Sequence, residues 1–328
     1  MPQARKRLVD VSVTPYYHCI GRCVRRAFLC GECHLTGQNY EHRKQWVTDR
    51  LAVLSHVFAI DVAAYAVMSN HYHLVLRVNT HQAHELSDEE VIERWGKLFS
   101  LPSLITQAQQ PNASDAVLKQ AEMLIQLWRE RLCDISWFMR CLNEHLARKA
   151  NAEDNCTGRF WEGRFKSQAL LDEAAVLTAM AYTDLNPIRA QIATTPEASD
   201  HTSIQQRIHQ LLKKPKNTSI KLMTLSSSQA QRHTHSIAFS LDDYLELVDW
   251  SGRILRDDKR GAILQNTPSI IERLNLHDHG FIECIKRTDN LSGIRAIGSA
   301  SSLTHFLNHT DNIFIKGKGF SRSLYQHA

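Results

Sequence analysis

Two apolar runs, residues 62–68 and 71–78, are separated only by Ser69-Asn70. Short apolar runs joined by two turn-forming residues predict a β-hairpin. A strand is expected before it over residues 11–24, carrying Val13, Tyr16, Tyr17, Cys19 and Ile20 and running into the basic turn Arg22-Cys23-Val24-Arg25-Arg26. Between strand and hairpin, residues 41–57 place Trp46, Leu51, Leu54 and Val57 near helical spacing. After the hairpin, residues 81–112 read as an insertion whose helix starts at Ser87, with Glu90 three positions on as a capping box. Two more helices are expected over 114–132 and 134–150, so a helical insertion spans about 81–133. A strand over 166–171 follows, and then a helix capped by Asp172 that ends near Asn186, because Pro187 cannot continue it. Strands mixed with helices around a hairpin give an α+β fold, an antiparallel sheet with helices packed on it.

Residues 213–231 turn polar and Ser/Thr-rich without an apolar period. The expected division is therefore a domain over 1–205, a polar linker over 206–239, and a small helical C-terminal module over 240–328. The 328 residues are 43% hydrophobic and 22% charged, a globular rather than disordered composition. Net charge is only +5, yet Lys and Arg cluster at residues 5–7, 22–26, 159–166 and 213–216, which suits a polyanionic partner or a solvated face. The sequence shows no apolar run of membrane-spanning length and no signal-peptide core, so a cytoplasmic protein is expected, its eight cysteines reduced. Cys30-Gly31-Glu32-Cys33-His34 matches a haem-attachment pattern, but that chemistry needs export; with Cys19 and Cys23 the alternative is a zinc site.

The chemistry concentrates in His71 and His73. Alternation along a strand puts both imidazoles on one face and Tyr72, Leu74 and Leu76 on the other. Two rise steps separate the histidines by roughly 6.6 to 6.8 Å, close enough for both rings to reach one metal ion. A plain surface pair has the same spacing, and His233-Thr234-His235 in the polar stretch is read as such. On the later helix, Thr178, Tyr182 and Asn186 form a polar row while Val176, Leu177, Met180 and Ala181 pack. Tyr182 is then either a nucleophile facing the metal or a core tyrosine with its hydroxyl at the surface.

Three segments carry a resemblance. Tyr65-Ala66-Val67-Met68-Ser69-Asn70-His71-Tyr72-His73-Leu74-Val75-Leu76 resembles the His-hydrophobic-His ("HUH") motif of bacterial single-strand DNA transposases. Gly158-Arg159-Phe160-Trp161-Glu162-Gly163-Arg164-Phe165-Lys166 resembles the segment before their catalytic helix. Tyr182-Thr183-Asp184-Leu185-Asn186-Pro187-Ile188-Arg189-Ala190 is similar to their tyrosine signature. The branch called REP-associated tyrosine transposases is similar in spacing throughout residues 10–205.

The resemblance implies a ferredoxin-like HUH nuclease core. It makes Tyr182 the nucleophile and His71, His73 and Asn186 the ligands of a divalent cation, Mg or Mn; mobile-element relatives usually carry Gln at the last position. It also implies a cytoplasmic, nucleoid-associated enzyme, a monomer or homodimer, that cuts and rejoins hairpin-type single-stranded DNA through a 5′-phosphotyrosine. Arg22, Arg25, Arg26, Arg159, Trp161, Arg164, Lys166 and Arg189 are the expected DNA contacts. The alternative is a domesticated protein that binds or represses such DNA without cutting. Since neutral imidazoles are needed, activity is expected to fall below roughly pH 6.5.

Overall fold

The computed structural model describes residues 9–24, 29–31, 37–212, 219–226, 236–237, 239–255, 268–286, 294–310 and 318–326. The hairpin forms from β2 (Ile60–Val67) and β3 (His71–Val78), closed by a Met68 N–H donating to the His71 carbonyl at 2.8 Å. Its first partner is β1 (Tyr16–Arg22), antiparallel to β3 with Arg22 opposite His71, Ile20 opposite His73 and His18 opposite Val75. Gly21 lies opposite Tyr72, and a Cβ there would come within 2.4 Å of the phenol ring, so only glycine permits this close approach.

Helix α1 (Arg43–Val57) crosses from β1 to the hairpin. The expected insertion holds α2 (Thr80–Glu85), α3 (Asp88–Gly96), α4 (Ser103–Ala108) and α5 (Asp115–Leu132). Both halves of the Ser87–Glu90 capping box are made. Long helix α6 (Ile135–Glu153), capped by Asp134, leads into β4 (Lys166–Leu170), which pairs antiparallel with the free side of β1. Asp172 then caps α7 (Glu173–Asp184) by accepting the Ala175 N–H at 2.9 Å. The chain turns at Leu185 and restarts as the short α8 (Asn186–Arg189), where Pro187 occupies the first turn, a position that needs no N–H.

The residues expected to form a linker are partly structured. Helix α9 (Ser203–Leu211) runs into them, and residues 219–226 return along β2. Ile220 and Met223 are buried, and the Met223 N–H donates to the Val62 carbonyl at 2.8 Å. Two-residue strands β5 (Thr224–Leu225) and β6 (Ser236–Ile237) pair in parallel. The C-terminal helices are α10 (Leu241–Leu255), α11 (Ser269–Arg273), α12 (Asp278–Lys286), α13 (Ala300–His309) and α14 (Lys318–Leu324).

Among the C-terminal elements, β7 (Ala296–Ile297) joins the main sheet beside β4, giving the order β2-β3-β1-β4-β7. Because β7 runs parallel to β4, the sheet is mixed, which corrects the expected purely antiparallel sheet. The fold is α+β, with five strands in that sheet and fourteen helices among the described residues. Among the same residues no helix is long and apolar enough to cross a membrane.

The pleat sorts the core into two layers. Tyr17, Cys19, Tyr72, Leu74 and Leu76 face one way, into a core shared with Leu51, Leu54, Phe138 and Leu142 from α1 and α6. Ala64, Val75 and Leu170 face the other way, against Ala175, Leu177 and Met180 of α7. The outer side of α7 is itself covered by α10 and α12, whose Tyr244, Leu247 and Phe281 belong to the same cluster. Every residue from Ala174 to Asp184 is therefore buried. The expected half-polar α7 is corrected accordingly: Thr178 and Thr183 return their hydroxyls to the Ala174 and Ala179 carbonyls rather than to solvent.

Candidate active site

Strand β3 fixes His71 and His73 on the face covered by α7. The two rings meet edge to face with centroids 4.9 Å apart. From α7, the Tyr182 ring packs edge-on against His73 at 5.6 Å and against His18 of β1 at 5.9 Å. One strand pair and one helix, more than a hundred residues apart in sequence, thus bring three imidazoles and a phenol together. His73 and Tyr182 are only 3% and 4% exposed, so the cluster lies below the surface rather than upon it.

Each imidazole has a defined neighbour at Nδ1. For His71 it is the Asn70 Oδ1 at 2.6 Å. For His73 it is the His18 Nε2 at 2.9 Å, and the two rings meet edge to edge, their planes 18° apart and their centroids 5.1 Å apart. The His18 Nδ1 in turn lies 2.8 Å from the Gln168 Oε1, while the Gln168 Nε2 donates to the Ile294 carbonyl at 2.9 Å. His73 Nε2 is buried with no hydrogen-bond partner among the described residues.

Burial, aided by the positive fields of Arg22 and Arg189, lowers His71 to about 4. Burial likewise lowers His18 to about 4 against the opposing Gln168 hydrogen bond, and it holds His73 well below the ordinary histidine range. The imidazoles therefore stay neutral well below pH 6.5, which corrects the expected loss of neutral rings near that value.

Among the described residues no three His, Cys, Asp or Glu side chains converge as a complete metal cage. The donors present still suit a divalent cation: neutral imidazoles, one with a bare buried nitrogen, leave the remaining coordination positions to oxygen donors. Asn186 is buried at the start of α8. Its Oδ1 accepts from the Arg189 guanidinium and its Nδ2 donates to the Tyr182 carbonyl at 3.3 Å, so the amide is engaged within its own turn. Arg189 lies over the Tyr182 ring, its Cζ 4.3 Å from the centroid, and donates to the Ile285 carbonyl of α12 at 3.2 Å.

The other expected contacts divide by face. Arg22 is exposed beside His71, and the exposed Lys166 lies opposite Ile20, in the row that continues to His73. Arg164 is exposed on the loop before β4. Trp161 is placed on the opposite face, edge-on to Tyr72 at 5.6 Å with its indole N–H donating to the Asn143 carbonyl. Arg159 holds the same loop by donating to the Trp161 and Glu162 carbonyls. Arg25, Arg26, Cys33, His34, His233 and His235 lie outside the described residues.

His18 and Gln168 are the site residues that sequence reasoning missed. Their signal was weak: each is a polar residue in an apolar strand, and only the β3-β1-β4 register sets them beside His73.

No family model and no curated protein matches the sequence. Among solved structures, a REP-associated tyrosine transposase bound to a REP hairpin is similar at 12% identity and a TM-score of 0.36, covering 65% of this chain and 88% of that chain. A likeness that distant assigns neither fold family nor activity.

Proposed function

We propose that the protein is a metal-dependent single-strand DNA endonuclease and strand transferase of the HUH type, with a ferredoxin-like nuclease core. The observation that carries this reading is the meeting of Tyr182 with His73, whose buried Nε2 has no partner among the described residues. His71 and His73 would hold a divalent cation, Mg or Mn, with Asn186 able to join only by releasing Arg189. When bound, such a cation polarises a scissile phosphate and stabilises the charge that builds on its oxygens.

Tyr182 Oη attacks phosphorus, the bond to the 3′ oxygen breaks, and the phenol proton leaves to solvent while the departing oxygen takes one up. The products are a 5′-phosphotyrosine and a free 3′-hydroxyl. Reversal by a 3′-hydroxyl rejoins a strand without a nucleotide cofactor, because one phosphodiester replaces another. Arg22, Arg164, Lys166 and Arg189 supply positive charge for the DNA backbone, and Arg22 and Arg189 already act on the imidazoles through space. Hairpin-type single-stranded DNA is the substrate class in this reading.

One observation favours a second reading. Tyr182 is buried beneath the Arg189 guanidinium, an arrangement suited to a protein that holds hairpin DNA without cutting it. Incubation with a labelled hairpin oligonucleotide and Mg or Mn, followed by a denaturing gel, separates the two. The transferase gives a covalent protein–DNA adduct that Tyr182→Phe abolishes. Tight binding with no adduct on any single-stranded substrate would leave the binding protein.

A further inference from the structure

Four groups from four parts of the chain form one hydrogen-bonded line: the Ile294 carbonyl, the Gln168 amide, His18 and His73. Its direction can be worked out from one end. The Gln168 Nε2 donates to a carbonyl, which accepts only, so the Gln168 Oε1 must be the atom facing His18. An amide oxygen also accepts only, so the His18 Nδ1 carries the hydrogen. His18 is fully buried and no carboxylate hydrogen-bonds to it among the described residues, so the ring is neutral and its Nε2 presents a lone pair. The His73 Nδ1 must then donate, and the His73 Nε2 is left as a bare lone pair inside the protein.

In the opposite direction, His73 would bury an Nε2–H with nothing to accept it, and the Gln168 oxygen would face the Ile294 oxygen. Both changes leave polar groups unsatisfied, at about 1–3 kcal/mol each. At His71 the pattern repeats, since the Asn70 Oδ1 takes the Nδ1 hydrogen and leaves that ring's Nε2 unprotonated.

We infer that His18 and Gln168 are positioning residues that set the His73 tautomer for ligation through Nε2, and that the C-terminal module takes part in the site by anchoring this line at the Ile294 carbonyl. The inference deepens the proposed function and rests on it where a metal is concerned; the tautomer itself does not. It gives the C-terminal module a role beyond adding β7, since residue 294 directly precedes that strand's approach to β4.

The test uses the full-length chain with 15N-labelled histidine. Nitrogen–proton correlation spectra of the metal-free protein read the His73 tautomer, and Mn titration reads affinity. Wild type is expected to show a pyrrole-type Nδ1 and a pyridine-type Nε2 at His73. Gln168→Glu, protonated in this buried position, keeps an oxygen for the His18 Nδ1–H and an O–H for the Ile294 carbonyl, and is expected to retain that pattern with Mn affinity within a few fold. Gln168→Met removes the acceptor and is expected to mix the tautomers and weaken Mn binding by about 10–100-fold.

His18→Phe serves as a second route to the same loss, with the unfolding midpoint of each variant confirming that it folds. A role confined to packing would make Gln168→Glu and Gln168→Met alike, and that outcome overturns the inference. An Nε2–H on wild-type His73 overturns it as well. If the tautomers respond as expected but wild type binds no Mn, the metal reading fails while the relay stands.

Discussion

On the sheet face that carries Tyr72, Leu74 and Cys19, the cover comes from α1 and α6, and the side chains that the sheet itself buries there are apolar apart from Ser167 and the tyrosine hydroxyls. On the opposite face, under α7, the same sheet buries His18, His73 and Gln168. At the end of α7, Asp184 accepts from the Ser203 hydroxyl, the Ile204 N–H at 2.9 Å and the Tyr244 hydroxyl at 2.5 Å. The difference shows how this chain divides its labour. One face supplies cohesion through area removed from water, while the other spends burial on polar groups that, apart from the His73 Nε2, are satisfied by specific partners and hold a chemical geometry.

Breaking the apolar face should have the largest effect on stability and none on the site's chemistry. Phe138 is fully buried and meets Phe58 edge to face at 5.3 Å. Phe138→Ala is expected to lower unfolding free energy by about 3–5 kcal/mol while leaving Mn affinity of the folded protein unchanged. A matching loss of Mn affinity in urea-free buffer would show that the two faces are not separable.

Acid should act on the polar face. His18 falls from 6.5 to about 4 on folding, so the unfolded chain binds protons more readily and stability is lost as pH drops from 6.5 toward 4. That single shift corresponds to about 3 kcal/mol. His71 and His73 act with the same sign. Asp184 opposes them: burial raises its carboxyl from 3.8 to about 6, so its contribution grows as pH falls through that window. Denaturant titrations from pH 7 to pH 4 are expected to show a net loss in wild type and a shallower slope in His18→Phe. An unchanged slope in the variant would remove His18 from the explanation.

Tyr244→Phe deletes one donor to a buried carboxylate and is expected to lower stability by about 1.5–3 kcal/mol in urea denaturation. Its effect tells how firmly α10 is tied to α7. Smallest is Ser87→Ala, which removes half of the capping box of α3. About 1 kcal/mol is expected, with hairpin-DNA affinity unchanged.

The same two faces explain what could be read from sequence. The hairpin, the Ser87 and Asp172 caps and the parity of His71 against Tyr72 follow from local rules, because period-two alternation and turn chemistry act within a few residues. The polar face depends on long-range pairing. Ala296 and Ile297 are too short a strand to announce themselves, yet their pairing with β4 brings Ile294 to Gln168. Likewise Thr178 and Tyr182 of α7 and Asn186 at the start of α8 lie on a row that looks solvent-facing until α10 and α12 cover it. His18 gave only a weak local sign, since a histidine between Tyr17 and Cys19 becomes a neighbour of His73 only through the β1-β3 register.

Strand transfer as proposed requires that Tyr182 become bonded to DNA. Protein incubated with a hairpin oligonucleotide and Mn should be digested with nuclease and then protease, and the Tyr182 peptide weighed by mass spectrometry. A peptide carrying a nucleotide 5′-phosphate on Tyr182 is expected, formed only with metal present and absent in His73→Ala. An unmodified Tyr182 peptide, recovered from protein that binds the hairpin tightly in the presence of Mn, would contradict strand transfer through Tyr182.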